Sequence, residues 1–184
     1  MGAIIMSHFL KTAAALLALA AASFGFAFAE EARPAAAPED VASIDAIMTA
    51  VYDVISGPAG EERDWDRFQS LFIDGARLIP RSASNPNGAT VLSPEDYVAR
   101  ASGNFMENGF FESEIGRKTD RLGDIAQVFS AYQSKRAESD PEPFARGINS
   151  FQLLHHDGRW WIVTIYWQAE TPETPIPAEY LAAQ

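Results

Sequence analysis

Arg117 is a candidate ligand-binding residue because its charge lies among apolar side chains in the predicted sheet. The dipeptide Gly123-Asp124 predicts a two-residue turn between strands at 110–121 and 125–136, and residues opposite each other across such a hairpin share a face. One face collects charged and amide side chains, which is typical of a surface exposed to water: Glu112, Glu114, Lys118, Asp120, Gln127, Gln133 and Lys135, with Glu112 opposite Lys135. Arg117 falls on the other face, which is mainly apolar.

The apolar face of this hairpin makes Arg117 costly to bury unless its charge is paired. Its neighbours there are Phe111, Ile115, Thr119, Val128 and Tyr132, with Ser130 and Arg121 among them. An isolated guanidinium in such surroundings is strongly destabilising. Arg117 therefore forms a structural ion pair, with Asp66, Asp53 or Glu107, or it anchors an anionic ligand, unless the strand register differs from the predicted one.

A second predicted hairpin supplies further pocket candidates. Strands at 147–156 and 160–169 are joined at Asp157-Gly158, a dipeptide that a type I′ turn favours. One face combines apolar bodies with a few polar groups, as small-molecule pockets do: Asn149, Phe151, His155, Trp160, Thr164, Tyr166 and Gln168. The other face is more uniformly apolar, as dimer interfaces are, and includes Trp161, Val163, Ile165 and Trp167.

Three helices precede these hairpins in the predicted order of elements. Apolar residues at spacings of three and four predict a helix from Val41 to Ile55, and a second helix follows over 61–75. Trp65 and Phe68 share one face of the second helix, where they belong either to the core or to a ligand cage. The segment Ser93-Pro94-Glu95-Asp96 begins a third helix, with Tyr97 directed inward. Residues 76–81 predict a short strand.

Three N-terminal helices packed on a curved, mainly antiparallel sheet form an α+β fold. This order, together with the segments WDRFQSLF, GDIAQVFSAYQ and DGRWWIV, resembles the nuclear transport factor 2-like (SnoaL-like) superfamily of cone-shaped α+β barrels. The resemblance covers about residues 39–170. It implies a deep pocket between sheet and helices, and often a homodimer packed through the outer sheet face. It implies no single activity, because the superfamily contains isomerases, dehydratases, hydrolases and binding modules.

Acid–base catalysis in the enzymes of that superfamily uses a Tyr with an Asp, or an Asp with a His, that projects into the cone. Residues of these types are present, but no particular dyad matches them: Tyr52, Asp53, Asp66, Tyr97, Tyr132, His155 and Tyr166. The catalytic residues therefore stay unknown. The sequence has no cysteine and none of the spacings of a zinc site, a nucleophile elbow or a phosphate loop, so we expect no metal and no cofactor.

The function predicted first is a small-molecule-binding module with a conical hydrophobic pocket that carries a few polar groups. The candidate ligand-binding residues are Trp65, Phe68, Tyr97, Arg117, Ser130, Tyr132, Asn149 and Tyr166. The alternative is a cofactor-independent isomerase, dehydratase or hydrolase of the same fold. A third possibility is an interaction protein whose pocket is filled by its own side chains.

The first 29 residues have the features of a secretory signal peptide. Lys11 is followed by an apolar run from Thr12 to Phe28, and Ala27-Phe28-Ala29 fits the small-x-small cleavage pattern. An uncleaved membrane anchor is the alternative. Residues 30–38 then form a Pro/Ala linker and residues 39–184 the folded domain. A net charge of -11 at pH 7 makes nucleic acid and anionic membranes poor partners. The signal peptide predicts a periplasmic or secreted protein without membrane contact after cleavage, and the superfamily resemblance implies a homodimer.

Export is expected to remove residues 1–29 and to leave Glu30 as the first residue of the mature protein. N-terminal sequencing of protein recovered from the periplasm measures this directly. Exported material that still begins at Met1 would contradict both the signal peptide and the predicted compartment.

Overall fold

The computed structural model describes residues 34–82 and 84–181. The predicted signal peptide and the first four residues of the predicted linker lie outside these ranges. Residues 34–37 have no regular secondary structure, although Ala36 packs against the core, and Pro38 already begins a helix. None of the helices in the described part of the chain is long and apolar enough to cross a membrane.

The described residues form four α-helices: α1 (Pro38–Val41), α2 (Ile44–Ile55), α3 (Trp65–Ser70) and α4 (Pro94–Asn108). The predicted first helix is thus two helices, because the Ser43 side chain accepts a hydrogen bond from the Ala46 N–H and starts α2 there. α4 begins as predicted, with a reciprocal capping box between Ser93 and Asp96. α3 ends at Ser70 and not at Gly75, since a strand starts at Phe72.

The strands are β1 (Phe72–Pro80), β2 (Phe111–Leu122), β3 (Ile125–Lys135), β4 (Ala145–His156) and β5 (Arg159–Ala169), in the spatial order β1-β5-β4-β3-β2. The predicted four-strand antiparallel meander is β2 to β5. The short predicted strand is longer than expected and pairs in parallel with β5, which makes a five-stranded mixed sheet. The α+β class is confirmed, while the number of helices differs from the prediction.

The core lies between the helices and one face of the sheet. Its fully buried side chains come from both layers, and include Ile47, Met48, Phe68, Phe72, Val128, Phe151 and Ile162. Each such side chain contributes about 1.5–3 kcal/mol relative to an exposed position. The helices are therefore held on the sheet by apolar packing across this layer.

Two β-bulges determine which side chains of the sheet face the helices. In β2, Glu114 pairs with Tyr132 and Gly116 with Ala131, so Ile115 is an extra residue. In β5, Val163 is the extra residue, because Ile162 and Thr164 pair with consecutive residues of β4. Side chains alternate along a strand, so one extra residue reverses the faces of everything beyond it.

The predicted face assignments are wrong beyond each bulge. Glu112 and Glu114 lie on the inner face, and Glu112 is opposite Ser134 rather than Lys135. In β5, Ile165 and Trp167 turn toward the helices, whereas Tyr166 and Gln168 lie on the outer face. The predicted interface row of Trp161, Val163, Ile165 and Trp167 is consequently not a single face. The turns themselves were predicted correctly, and the register fails only where each bulge intervenes.

The chain that follows β5 folds back over the outer face of the sheet. A 3-10 helix, Ala178–Tyr180, lies against β2 and β3, and the Tyr180 ring is 5.2 Å from that of Phe129. The Tyr180 carbonyl oxygen approaches Gly116 so closely that a Cβ could not be accommodated there. This segment covers part of the outer sheet face, which is the face through which the superfamily resemblance implies a homodimer.

Candidate functional site

A cavity of about 250 Å³ lies between the helices and the inner face of the sheet. Most of its lining is apolar or aromatic: Val51, Tyr52, Ile55, Phe68, Leu78, Tyr97, Ala101, Phe105, Phe110, Phe151, Ile165 and Trp167. Glu112 and Asn149 add two polar side chains. An apolar cavity of about 150 Å³ holds benzene, so this one has room for a ligand of about ten non-hydrogen atoms.

Aromatic pairs connect the elements that form the cavity wall. Phe105 of α4 stacks on Phe110 with ring centroids 4.2 Å apart, and Phe68 of α3 stacks on Tyr97 at 5.4 Å. Tyr97 also meets Trp167 of β5 edge to face at 6.2 Å. Such pairs contribute about 0.5–1.5 kcal/mol each beyond their buried area. They fix the distance between α4 and the sheet and so keep the space between them open.

Glu112 is the acidic group of the cavity. Its Oε2 accepts a hydrogen bond from the Ser134 hydroxyl at 2.8 Å, and its Oε1 accepts one from the Asn149 amide at 3.1 Å. Burial among apolar side chains raises the pKa of Glu112 to about 7, although the two donated hydrogen bonds act in the opposite direction. The carboxyl group is therefore present in both protonation states near neutral pH.

A hydrogen-bond chain continues from Asn149 to a second glutamate. The Asn149 amide donates to the Tyr52 hydroxyl at 3.1 Å, and this hydroxyl lies 2.7 Å from Ser130 Oγ. Because the Ser130 hydroxyl donates to Glu114 Oε1 at 2.5 Å, Tyr52 must be the donor to Ser130. The chain thus joins α2 to β2, β3 and β4.

The two glutamates of β2 differ in their charge partners. Glu114 lies 3.5 Å from the Arg117 guanidinium, which also pairs with Asp45 in the first turn of α2. Glu112 forms no salt bridge with any residue in 34–82 or 84–181. It accepts hydrogen bonds there from two neutral side chains, Ser134 and Asn149. The Glu114 charge is therefore balanced by Arg117, whereas no described residue balances the charge of Glu112.

The tyrosines around Glu112 stay neutral over the accessible pH range. Burial raises the pKa of Tyr52 and of Tyr97, and the neighbouring Glu112 charge raises both further. The Tyr52 hydroxyl is used in the hydrogen-bond chain. No residue within the described ranges forms a hydrogen bond with the Tyr97 hydroxyl, so this group is available to a ligand in the cavity.

Glu112 and Tyr52 lie at the boundary between this cavity and a wider surface groove. Both residues also line that groove, which has a volume of about 550 Å³ and includes Asp53, Lys135 and Glu138. Glu112 can therefore be approached from the apolar cavity and from the surface groove. This position allows Glu112 to exchange a proton with solvent while its cavity side contacts a ligand.

The structure brings three of the eight predicted pocket residues to the cavity, namely Phe68, Tyr97 and Asn149. Trp65 packs behind the wall, 5.8 Å from Phe68. Ser130 is buried behind Tyr52, and Tyr132 is buried opposite Gly147.

The other two candidates lie away from the cavity. Arg117 does not line it and pairs with Asp45 and Glu114, while Asp53, one of its predicted partners, pairs with Arg67. Tyr166 is 47% exposed on the outer sheet face, because the Val163 bulge reverses that end of β5. The structure thus supports neither residue as part of the inner pocket.

Glu112 was missed because it was assigned to the solvent-exposed face. A signal for the bulge was present, since Gly116 interrupts an otherwise strand-forming segment and an isolated glycine in a strand often marks a bulge. The lining residues Ile165 and Trp167 were misplaced for the same geometric reason. No glycine or proline accompanies the Val163 bulge, so local sequence gave no comparable signal there.

Two solved structures with the same fold have TM-scores of 0.51 and 0.50 to this protein. A nuclear transport factor 2-like protein of unknown function from Silicibacter pomeroyi is 17% identical, with a TM-score of 0.51 over 70% of this chain and 94% of that one. A protein from Novosphingobium aromaticivorans with the provisional name scytalone dehydratase is 13% identical, with a TM-score of 0.50 over 70% and 82%. No protein-family model and no curated protein matches the sequence. These identities show the fold alone, and the predicted nuclear transport factor 2-like fold is confirmed.

Substitution of Glu112 by glutamine is expected to change how stability depends on pH. The folded-state pKa of about 7 lies above the ordinary value of 4.5, so Glu112 contributes stability at acid pH that is lost as the pH rises through 7. Between pH 5.5 and 8.5 the wild-type protein should lose about 2 kcal/mol relative to Glu112→Gln, measured by urea denaturation. Equal pH profiles for the two proteins would show that Glu112 is solvated and not buried.

Proposed function

We propose that this protein is an exported small-molecule-binding module whose ligand site is the cavity between helices and sheet. The observation that carries the proposal is an apolar space open between packed layers, with polar groups concentrated at Glu112 and Asn149. Small-molecule sites combine a mainly apolar lining with a few oriented polar groups in this way. The ligand is then mostly apolar and presents one polar group to Glu112.

The size of the cavity sets the strength of binding that can be expected. A ligand of about ten non-hydrogen atoms gains on the order of 0.5 kcal/mol per atom, between the limits known for very small and drug-sized ligands. The total of about 5 kcal/mol corresponds to a Kd on the order of 0.2 mM. A natural ligand that also uses Glu112 should bind more tightly than a plain hydrocarbon.

Export and a homodimer belong to the same proposal. Export is supported by the apolar N-terminal run and its cleavage pattern. A dimer through the outer sheet face is supported by the exposed Tyr166 and the half-buried Trp161 there, since exposed apolar surface favours association. The segment around Tyr180 would lie at the edge of such an interface.

Naphthalene is a suitable probe of the cavity because its size matches the space. We expect saturable binding with a Kd on the order of 0.2 mM, followed by NMR at the Trp167 indole N–H. Ala101→Phe should abolish binding, since it places a ring of benzene size in the cavity. Ala99→Phe is the matched control on the exposed side of α4 and should bind normally.

Failure of naphthalene to bind folded wild-type protein would contradict the proposed ligand site. Equal binding by Ala101→Phe and wild type would place the probe elsewhere on the molecule. Circular dichroism and thermal melts of Ala101→Phe and Ala99→Phe establish that each variant is folded.

A second candidate function is proton-transfer catalysis in the same cavity. The observation that favours it is a carboxyl group oriented by two hydrogen bonds in the wall of an apolar cavity. Burial there raises the pKa of Glu112 to about 7, and a general base is most effective when its pKa lies near the working pH. Glu112 would remove a proton from carbon next to a carbonyl group. The Tyr97 hydroxyl would donate a hydrogen bond to the carbonyl oxygen as negative charge develops there.

Deuterium exchange of 2-tetralone tests this second function without knowledge of the natural substrate. The protein should accelerate exchange at the acidic carbon of the bound ketone, measured by NMR in deuterated buffer at pH 7.5. Glu112→Gln should remove the acceleration, and Tyr97→Phe should reduce it by about 10- to 1000-fold because the oxyanion loses one donor. Binding of 2-tetralone without exchange would leave the protein as a binding module only.

A further inference from the structure

We infer that the ligand of this cavity is a small organic cation, an aromatic or branched aliphatic ammonium compound whose positive nitrogen lies against Glu112. This inference rests on the proposed binding function and specifies the chemical class of its ligand. It reverses the polarity expected from the sequence, in which Arg117 was a candidate anchor for an anion.

No described residue supplies a counter-charge to Glu112. Other partly buried carboxylates are paired with arginine: Asp40 with Arg67, Glu114 with Arg117, and Glu170 with Arg146. Glu112 has no such partner among the described residues, and its donors are the neutral groups of Ser134 and Asn149. Ionisation of a carboxyl group at the edge of an apolar cavity is costly without a counter-charge, so a cationic ligand would complete this site when Glu112 is ionised.

The Glu112 carboxylate keeps part of its hydrogen-bonding capacity unused. An ionised carboxylate has about four acceptor positions on its two oxygens. Ser134 occupies one position on Oε2 and Asn149 one on Oε1. Both contacts are donated to Glu112, so the surrounding network suits the ionised acceptor form. About two acceptor positions remain, so the described residues use only part of the negative charge and the rest can face a cationic ligand.

The cavity wall around Glu112 is rich in aromatic side chains. Aromatic residues make up half of the cavity lining, among them Phe68, Tyr97, Phe105, Phe110 and Trp167. Aromatic rings attract cations electrostatically, and quaternary ammonium ligands are commonly held in aromatic cages. The lining contains no Lys, Arg or His in the described part of the chain, so no side chain of the wall would repel a cation.

An anionic ligand is disfavoured by the same residues. Its charge would lie in an apolar space beside Glu112, and two like charges there are strongly repulsive. A neutral ligand fits the apolar wall but leaves the carboxyl group without a counter-charge. An organic cation is the class that uses both the wall and the carboxylate.

The affinity for a quaternary ammonium ion should increase with pH. Burial raises the pKa of Glu112 to about 7, so the ionised form that binds the cation is scarce at pH 5.5 and dominant at pH 8. This change predicts an affinity gain of about 30-fold across that interval. The other ionisable groups that face Glu112 are Tyr52, Tyr97 and Tyr132 from the protein interior, and Asp53, Glu114, Lys135 and Glu138 from the groove.

Benzyltrimethylammonium and neopentylbenzene test the inference as a pair of the same shape, since they differ in a central nitrogen or carbon atom. At pH 8 we expect the cation to bind at least about tenfold more tightly than the hydrocarbon, measured by NMR titration of wild-type protein. Glu112→Gln should reduce this preference to about one. Asp120→Asn is the control, because it removes a carboxylate from an exposed position of the same strand and should keep the preference.

The outcomes separate this inference from the proposed function. If neopentylbenzene binds at least as tightly as the cation, or if Glu112→Gln leaves the preference unchanged, the ligand class is wrong and the binding function stands. Tighter binding of 3-phenylpropanoate than of the cation would overturn it equally. If naphthalene binds but none of the three probes does, the ligand class is wrong and the binding function stands. If naphthalene does not bind either, the proposed function is wrong and the inference falls with it. Thermal melts verify that each variant is folded.

Discussion

The cavity depends on a hydrogen-bond chain that fastens one helix across three strands. Tyr52 of α2 is buried. Its hydroxyl accepts a hydrogen bond from the Asn149 amide of β4 and donates one to the Ser130 hydroxyl of β3. At either end the chain terminates on a glutamate of β2. A buried phenol without partners would be strongly destabilising, so this chain fixes where α2 crosses the sheet. The same contacts hold the Glu112 carboxyl in one orientation.

This hydrogen-bond chain exists only because β2 contains a bulge. Without the extra residue Ile115, both glutamates would point to the outer face, and Ser130 and Ser134 would have no carboxylate acceptors beside them. The second bulge, at Val163, brings Trp167 to the cavity and sends Tyr166 outward. The two irregularities of the sheet thus supply both the polar and part of the aromatic character of the site.

Local sequence signals predicted the elements well and the site poorly, for one physical reason. The capping box at Ser93 and the turn at Asp157-Gly158 involve residues only a few positions apart, so the sequence specifies them directly. The face on which a side chain lies depends on the number of residues between it and the turn, because side chains alternate along a strand. One extra residue in a bulge therefore reverses the face of every residue beyond it. Gly116 marks the first bulge in the sequence, while the second one, at Val163, has no glycine or proline beside it.

Glu112 and the cavity beside it differ from the rest of the described molecule, which is closely packed and well hydrogen-bonded. Every buried side-chain nitrogen and oxygen atom in the described segments has a hydrogen-bond partner, and the aromatic residues pack in consecutive pairs. An open cavity forfeits packing contacts, and a raised carboxyl pKa costs stability on the order of 3 kcal/mol once the group ionises. With no cysteine in the sequence, no disulfide offsets these costs. Departures from local consistency are expected where a protein binds or transforms a ligand, and here the two departures lie at the same place in the fold.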